Sequence, residues 1–220
     1  MRINKMTGRC ILIGSGDLTV SEVKKKDGDF VIALDGGIGY CDFLRLEPDL
    51  VIGDFDSVTE EEQKAVEILE REVPDQVIRL QPEKDDTDML YGIKYALGLG
   101  YREFRLYGAT GGRLDHTLAN IQCLLYLKNH DASGYLMDGN GMIMVLKDEA
   151  VSFQENLEGM LSLFALGERA EGVSIRGMKY PLENATITND FPIGISNEFI
   201  GGKAEISVAK GELVCIISFN

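Results

Sequence analysis

Leu50-Val51-Ile52-Gly53-Asp54-Phe55-Asp56-Ser57 opens with three apolar residues, passes a glycine, and then sets down two aspartates one residue apart. The apolar run reads as a buried strand that ends at Gly53. If the chain stays extended beyond the glycine, residues i and i+2 point the same way, and Asp54 and Asp56 place two carboxylates in one small volume. Anions that close repel, and a neighbouring cation relieves the repulsion. Mg²⁺ suits such a place, since it takes one or two carboxylates and completes its shell with phosphate oxygens and water. Gly, Asp and Ser also make ordinary turns, so a solvated turn uses the same letters.

The same pattern, an apolar run closed by a Gly- or Asp-rich cluster, recurs along the first part of the chain. Cys10 to Ile13 precedes Gly14-Ser15-Gly16-Asp17, and Phe30 to Leu34 precedes Asp35-Gly36-Gly37. Gln76 to Leu80 leads to Pro82-Glu83-Lys84-Asp85-Asp86-Thr87-Asp88, and Phe104 to Tyr107 leads to Gly108-Ala109-Thr110-Gly111-Gly112-Arg113-Leu114-Asp115-His116. Helical segments alternate with these strands. Thr59-Glu60-Glu61-Glu62 fits a capping box, with Val66, Leu69 and Val73 on one face of the helix it opens. The next helix carries Leu90, Ile93 and Leu97 and stops at Gly98 and Gly100. The following one buries Leu118, Ile121, Leu124 and Leu125.

This βαβ series predicts an α/β fold: an N-terminal, Rossmann-like, mostly parallel sheet with helices on both faces. Ligands of such sheets bind outside the carboxyl ends of the strands, so loops distant in sequence converge on one rim. From about residue 133 the rhythm becomes period two, in Val151-Phe153, Leu161-Leu163, Val173-Ile175, Ala185-Thr188, Ala204-Val208 and Leu213-Phe219. That spacing predicts a C-terminal all-β sandwich domain. The expected domains are residues 1–132 and 133–220.

With 22 basic and 36 acidic residues among 220, the net charge is −14. Nucleic acid is excluded as a partner, because binding its backbone wants a basic patch. No apolar run has the roughly eighteen residues of a membrane span. The four cysteines form no C-x-x-C pair and read as reduced core thiols of a cytoplasmic protein, without a zinc site.

Asp35 stands at a strand end before two glycines, where it serves either a ligand or a helix N-cap. Thr87 and Asp88 likewise read as ligand groups or as a helix start, and Asp85 and Asp86 as solvated charges. All these acids on one rim favour a polycarboxylate metal site. For phosphate, Gly14-Ser15-Gly16 is a weak backbone cradle. Thr110-Gly111-Gly112-Arg113 is a better one, with exposed N–H groups and a bidentate donor. Lys84 serves a phosphate or neutralises Asp85 and Asp86. No G-x-x-x-x-G-K-[ST], no G-x-G-x-x-G with a downstream acid, and no Ser-His-Asp pairing is present.

Taken in order, Asp35-Gly36-Gly37, Gly53-Asp54-Phe55-Asp56-Ser57, Asp85-Asp86-Thr87-Asp88, Gly111-Gly112-Arg113-Leu114-Asp115-His116 and Ser196-Asn197-Glu198-Phe199 resemble the signature of the thiamine pyrophosphokinases. The resemblance implies that residues 1–132 form an ATP- and Mg²⁺-binding catalytic domain. Residues 133–220 would form a thiamine-binding and dimerisation sandwich, with active sites at a homodimer interface. The implied reaction moves the β,γ-pyrophosphoryl group of ATP to the thiamine hydroxyl and releases AMP.

By this resemblance Asp54, Asp56 and Asp88 hold the metal, and Asp88, Asp56 and Arg113 carry the catalysis. Asp35, Gly36, Lys84, Thr87, Gly111, Gly112, Arg113, Asp115 and His116 line the ATP and substrate cleft, and Ser196 and Asn197 face thiamine. Such transfer needs charge neutralisation and in-line positioning more than a covalent nucleophile. Asp88 assists the hydroxyl either as a base or by holding the metal, and both alternatives stand. Tyr180 and Phe199 are candidates to stack on the thiazolium cation, against the plainer reading of a turn with a core aromatic. Two rivals remain. A metal-dependent phosphohydrolase would release phosphate without thiamine, and a nucleotide- or Mg²⁺-sensing module would turn nothing over.

Overall fold

The structure, a computed structural model, describes residues 6–81 and 85–220, and it divides into two compact units between Gly139 and Asn140. In the first, β1 (Cys10–Ile13), β2 (Phe30–Leu34), α1 (Gly37–Leu44) and β3 (Leu50–Gly53) are followed by α2 (Glu60–Glu72) and a 3₁₀ turn (Pro74–Gln76). Then come β4 (Val77–Arg79), α3 (Asp88–Leu99), β5 (Glu103–Tyr107), α4 (Leu114–Lys128) and β6 (Ser133–Asp138). The strands pair in parallel in the order β6-β5-β1-β2-β3-β4.

Each of β1 and β3 is buried along its whole length, as a parallel sheet covered on both faces requires. Ile11, Ile13, Val31, Ala33 and Val51 join Ile38, Cys41 and Leu44 of α1 and Val66 of α2 in one apolar cluster. Residues of opposite parity face α3. There Gly92 makes close approach possible, since a Cβ on it would lie 2.7 Å from Leu12 and 3.1 Å from Leu34. Burying each such aliphatic side chain contributes roughly 1.5–3 kcal/mol. The capping box forms as expected: the Glu62 amide donates to Thr59 Oγ1 at 3.3 Å, and the Thr59 amide donates to Glu62 Oε2 at 2.8 Å.

Three expectations shift. The first unit extends beyond residue 132, because β6 pairs with β5 and so completes the parallel sheet. Leu118 is exposed, as is Leu114, and the buried face of α4 keeps the expected Leu124 but is otherwise Asn120, Cys123 and Leu127. Val73 falls past the end of α2 and is partly exposed. All four cysteines are buried and none forms a disulfide, and burial pushes the Cys41 thiol up to about 12 and that of Cys123 up to about 11.

The second unit contains β7 (Gly141–Lys147), β8 (Ala150–Phe153), β9 (Gly159–Ala165), β10 (Arg169–Arg176), β11 (Leu182–Thr188), β12 (Gly194–Glu198), β13 (Ala204–Ser207) and β14 (Glu212–Phe219). Antiparallel pairing gives two four-stranded arrays, β12-β9-β14-β7 and β11-β10-β13-β8. With β10 against β14 and β11 against β9, the arrays form the expected sandwich. No helix of the described residues is long and apolar enough to cross a membrane.

Candidate active site

In the first unit a cavity of about 370 Å³ opens at the carboxyl ends of the strands. Its wall takes Gly14 to Asp17 after β1, Leu34 and Asp35 at the end of β2, and Ser57 beyond β3. Thr87, Asp88 and Met89 at the start of α3, and Gly108 to Arg113 between β5 and α4, complete it with His116 and Asn120. Of the expected site residues, the structure therefore brings together Asp35, Thr87, Asp88, Gly111, Gly112, Arg113 and His116. Lys84 lies outside the described residues.

The loops after β1 and β5 are laced to each other. The amides of Gly14, Gly16 and Asp17 donate to the carbonyls of Tyr107, Gly108 and Thr110, each at 2.8 Å. These donors are thereby spent, so the expected cradle at Gly14-Ser15-Gly16 serves to hold the β5 loop in place. Gly111 adopts a left-handed φ of 75°, and a Cβ there would lie 2.0 Å from Asp17 Oδ2. Only glycine lets the two loops meet so closely.

The acidic turn differs from its expectation. The chain does not stay extended past Gly53: Phe55 has a φ of 59° and buries its ring in the core cluster. Asp54 and Asp56 therefore share a turn, in which the Asp56 amide donates to Asp54 Oδ1 at 3.3 Å. The Asp35 carboxylate accepts the Phe55 amide at 3.1 Å, and the Arg79 guanidinium lies 4.9 Å over the Phe55 ring. Asp35 thus fixes the turn as well as lining the cavity. Asp54 and Asp56 stand in that turn beside Ser57, the residue by which it reaches the cavity wall.

Both helices at the cavity present their N-termini to it. Thr87 caps α3 by accepting the Leu90 amide at 3.2 Å, which places Asp88 in the first turn. Arg113 at the N-cap of α4 makes no capping bond, and while the His116 amide leans on the Asp115 carboxylate, the amides of Leu114 and Asp115 remain available to an anion. Arg113 grips Asp115 through Nε at 3.2 Å and Nη2 at 2.5 Å. That hydrogen-bonded guanidinium lowers the Asp115 carboxyl to about 2. Nη1 makes none of these contacts, so its donors remain available to an acceptor. Asp115 itself, like Gly36, is not part of the cavity wall.

Among the described residues, no group of three or more His, Cys, Asp or Glu side chains is gathered closely enough to hold a metal by itself. The carboxylates present, Asp54, Asp56 and Asp88, are hard oxygen donors. They fit an ion that takes one or two protein oxygens and the rest from phosphate and water, as Mg²⁺ does.

In the second unit, Ser196 is exposed at a φ of 57°, and its amide donates to Ser162 Oγ at 3.1 Å. Asn197 is buried. Its Oδ1 accepts the amides of Tyr180 and Glu198 at 3.0 and 2.9 Å, and its Nδ2 donates to the Tyr180 carbonyl at 2.8 Å. The residue expected to face thiamine thus spends its amide on fixing the exposed Tyr180. Phe199 is a core aromatic, edge-on to Phe153 at 5.4 Å.

Residues 22–136 match the thiamin pyrophosphokinase catalytic domain, more than half of the chain. The chain belongs to the thiamine pyrophosphokinase family. Residues 148–213 match that family's vitamin B1 binding domain. The thiamine pyrophosphokinase of Bacillus subtilis (strain 168) is 34% identical over 173 residues, 78% of each chain. A crystal structure of thiamine pyrophosphokinase from Bacillus subtilis superposes with a TM-score of 0.84 at 28% identity, covering 97% of this chain and 100% of the other. One from Geobacillus thermodenitrificans gives 0.83 at 28%, covering 97% and 98%. The cavity wall also includes Ser57, Met89 and Asn120, which sequence reasoning did not place in the site. For Asn120 the usable signal was its position four residues after His116, on the same helix face.

Proposed function

We propose that the cavity of the first unit binds ATP with Mg²⁺ and that the chain transfers the β,γ-pyrophosphoryl group to the hydroxyl of thiamine. A bond forms between that oxygen and Pβ, the bond from Pβ to the α-phosphate oxygen breaks, and AMP leaves. The observation that carries this reading is the convergence of Asp88, Arg113 and Gly111-Gly112 on one cavity at two helix N-termini, in a chain of this family.

The Arg113 Nη1 donors and the uncapped α4 terminus receive the phosphate chain, and the glycines let it approach the backbone. Asp88, with Asp54 and Asp56 in the acidic turn, would hold Mg²⁺, which when bound offsets charge on the phosphate oxygens. Asp88 either accepts the proton of the thiamine hydroxyl or leaves it to water while holding the ion. The second unit takes part in binding thiamine, with the exposed Tyr180 as its aromatic face.

ATP, Mg²⁺ and thiamine incubated with the protein are expected to give AMP and thiamine diphosphate in equal amounts, separated by chromatography. ADP or inorganic phosphate as the product would overturn the assignment.

The reading includes a cytoplasmic homodimer with its sites at the subunit interface. Four buried cysteines without a disulfide support the compartment. Exposed apolar residues support the dimer: Leu114 and Leu118 in the first unit, and Phe191, Ile193 and Ile195 in the second. Sedimentation equilibrium is expected to return the dimer mass, and a monomer at assay concentrations removes this part of the reading.

A further inference from the structure

We propose that Asn120 reads the nucleoside part of the bound nucleotide, its Oδ1 accepting a hydrogen bond from a neutral O–H or N–H of the sugar or the base. Asn120 is only 8% exposed, yet it belongs to the cavity wall. Its Nδ2 donates to the Ala109 carbonyl at 2.8 Å. A carbonyl only accepts, so the amide nitrogen must be the atom turned toward Ala109, and Oδ1 points the other way. No described residue donates to Oδ1. No side-chain nitrogen or oxygen among the described residues is both sealed from solvent and unpartnered. Oδ1 is therefore open to space, and the space that Asn120 borders is the cavity.

A buried amide with one half unpaired is costly unless something completes it. Its neighbours in the wall, Leu34, Met89 and Ala109, are buried and apolar. Phosphate donors sit elsewhere, at exposed Gly111, Gly112 and Arg113. An acceptor repels phosphate oxygens, which are acceptors themselves. The group that suits an apolar wall with a single acceptor is uncharged and offers it a donor. A ribose hydroxyl and an exocyclic amine of the base both meet that description.

This inference rests on ATP occupying the cavity, so its test begins with binding alone. Equilibrium titrations in Mg²⁺ without thiamine compare ATP, ITP (6-oxo in place of the 6-amine), 2′-deoxyATP and 3′-deoxyATP. The proteins are the unaltered chain, Asn120→Ala and Asn120→Ser. The unaltered chain is expected to bind one of the three analogues on the order of 10-fold more weakly than ATP. Asn120→Ala is expected to weaken ATP by a similar factor and to weaken that analogue no further. Which analogue behaves so tells sugar from base.

Should Asn120→Ala fail to fold for want of a donor to Ala109, Asn120→Ser carries the same comparison, its hydroxyl leaving room for a water at that carbonyl. A uniform loss across all four nucleotides would mean that Asn120 only props the Ala109 loop, and it overturns the inference. No loss on any nucleotide overturns it too. Failure of the unaltered chain to bind ATP overturns the nucleotide reading itself.

Discussion

Asp88→Asn is expected to lower turnover of ATP and thiamine on the order of 10²-fold or more while leaving the fold intact. Asn keeps the shape of Asp and removes its charge. On the proposed reading the site would lose either its proton acceptor or one of the oxygens offered to the metal, since Asp88 lines the cavity. Structurally the change is mild. Asp88 opens α3, where a carboxylate interacts with the helix dipole for about 0.3–1 kcal/mol. Thr87, which supplies the cap, is untouched. Steady-state kinetics on both substrates and a thermal melt check the two halves. Near-normal turnover would take Asp88 out of the mechanism, and a collapsed melt would mean that its role is structural.

How far the sequence disclosed all this follows from what each segment buries. Strands β1, β2 and β3 stand out because a parallel strand covered on both faces is apolar throughout or nearly so, whereas β5 alternates with Glu103 and Arg105 and is marked by the glycine-rich cluster after it. Strand β6 is only half buried and alternates, so it reads as the start of the β-rich part, although it pairs with β5. Strand β12, Gly194–Glu198, lies at the edge of its array with polar and exposed residues and carries no strand signal. In α4 the error is one of phase. Leu118 draws the apolar stripe toward solvent, and the true inward face begins at Asn120. Reading that face correctly puts a polar residue in the wall beside His116, which is how Asn120 escaped notice.

The rim itself was legible, because a Gly- or Asp-rich cluster follows each of strands β1 to β5. Their internal wiring was not. Two carboxylates at i and i+2 share a side only on an extended chain, and Phe55 breaks that condition by turning left-handed to reach the core. Glycine loops suggest free amides, but Gly14, Gly16 and Asp17 give theirs to carbonyls of the β5 loop. Asp35 looked like a ligand residue, and it also holds the Phe55 amide. Residue types announce a chemistry at the rim, whereas hydrogen bonds between loops distant in sequence decide which groups are left to do it.

Asp29 tests the opposite end of the same sheet. It precedes β2, and with Arg9, which precedes β1, it ties the amino ends of the two strands together, away from the cavity. The Arg9 amide donates to Asp29 Oδ1 at 2.8 Å, the Lys26 amide donates to Oδ2 at 2.9 Å, and the Arg9 guanidinium closes on the same carboxylate. Asp29→Ala leaves those donors unpaired and is expected to cost about 2–4 kcal/mol of stability. For a chain of this length that lowers the melting temperature by on the order of 10 °C. Turnover per folded molecule should be unchanged.

The pH dependence separates charge from packing in Asp29→Asn. Burial by itself would raise the Asp29 carboxyl, but the hydrogen bonds from Arg9 outweigh it and hold the carboxyl below its usual range. A carboxyl lowered in the folded state contributes stability that is fully present above the unfolded value of about 3.9 and is lost as pH falls through the folded value. Urea titrations should therefore show a steady gap between Asp29→Asn and the unaltered chain from pH 7 to pH 5, shrinking below about pH 4. A gap that stays constant into acid would mean that shape, and not the ion pair, holds the amino ends of β1 and β2 together.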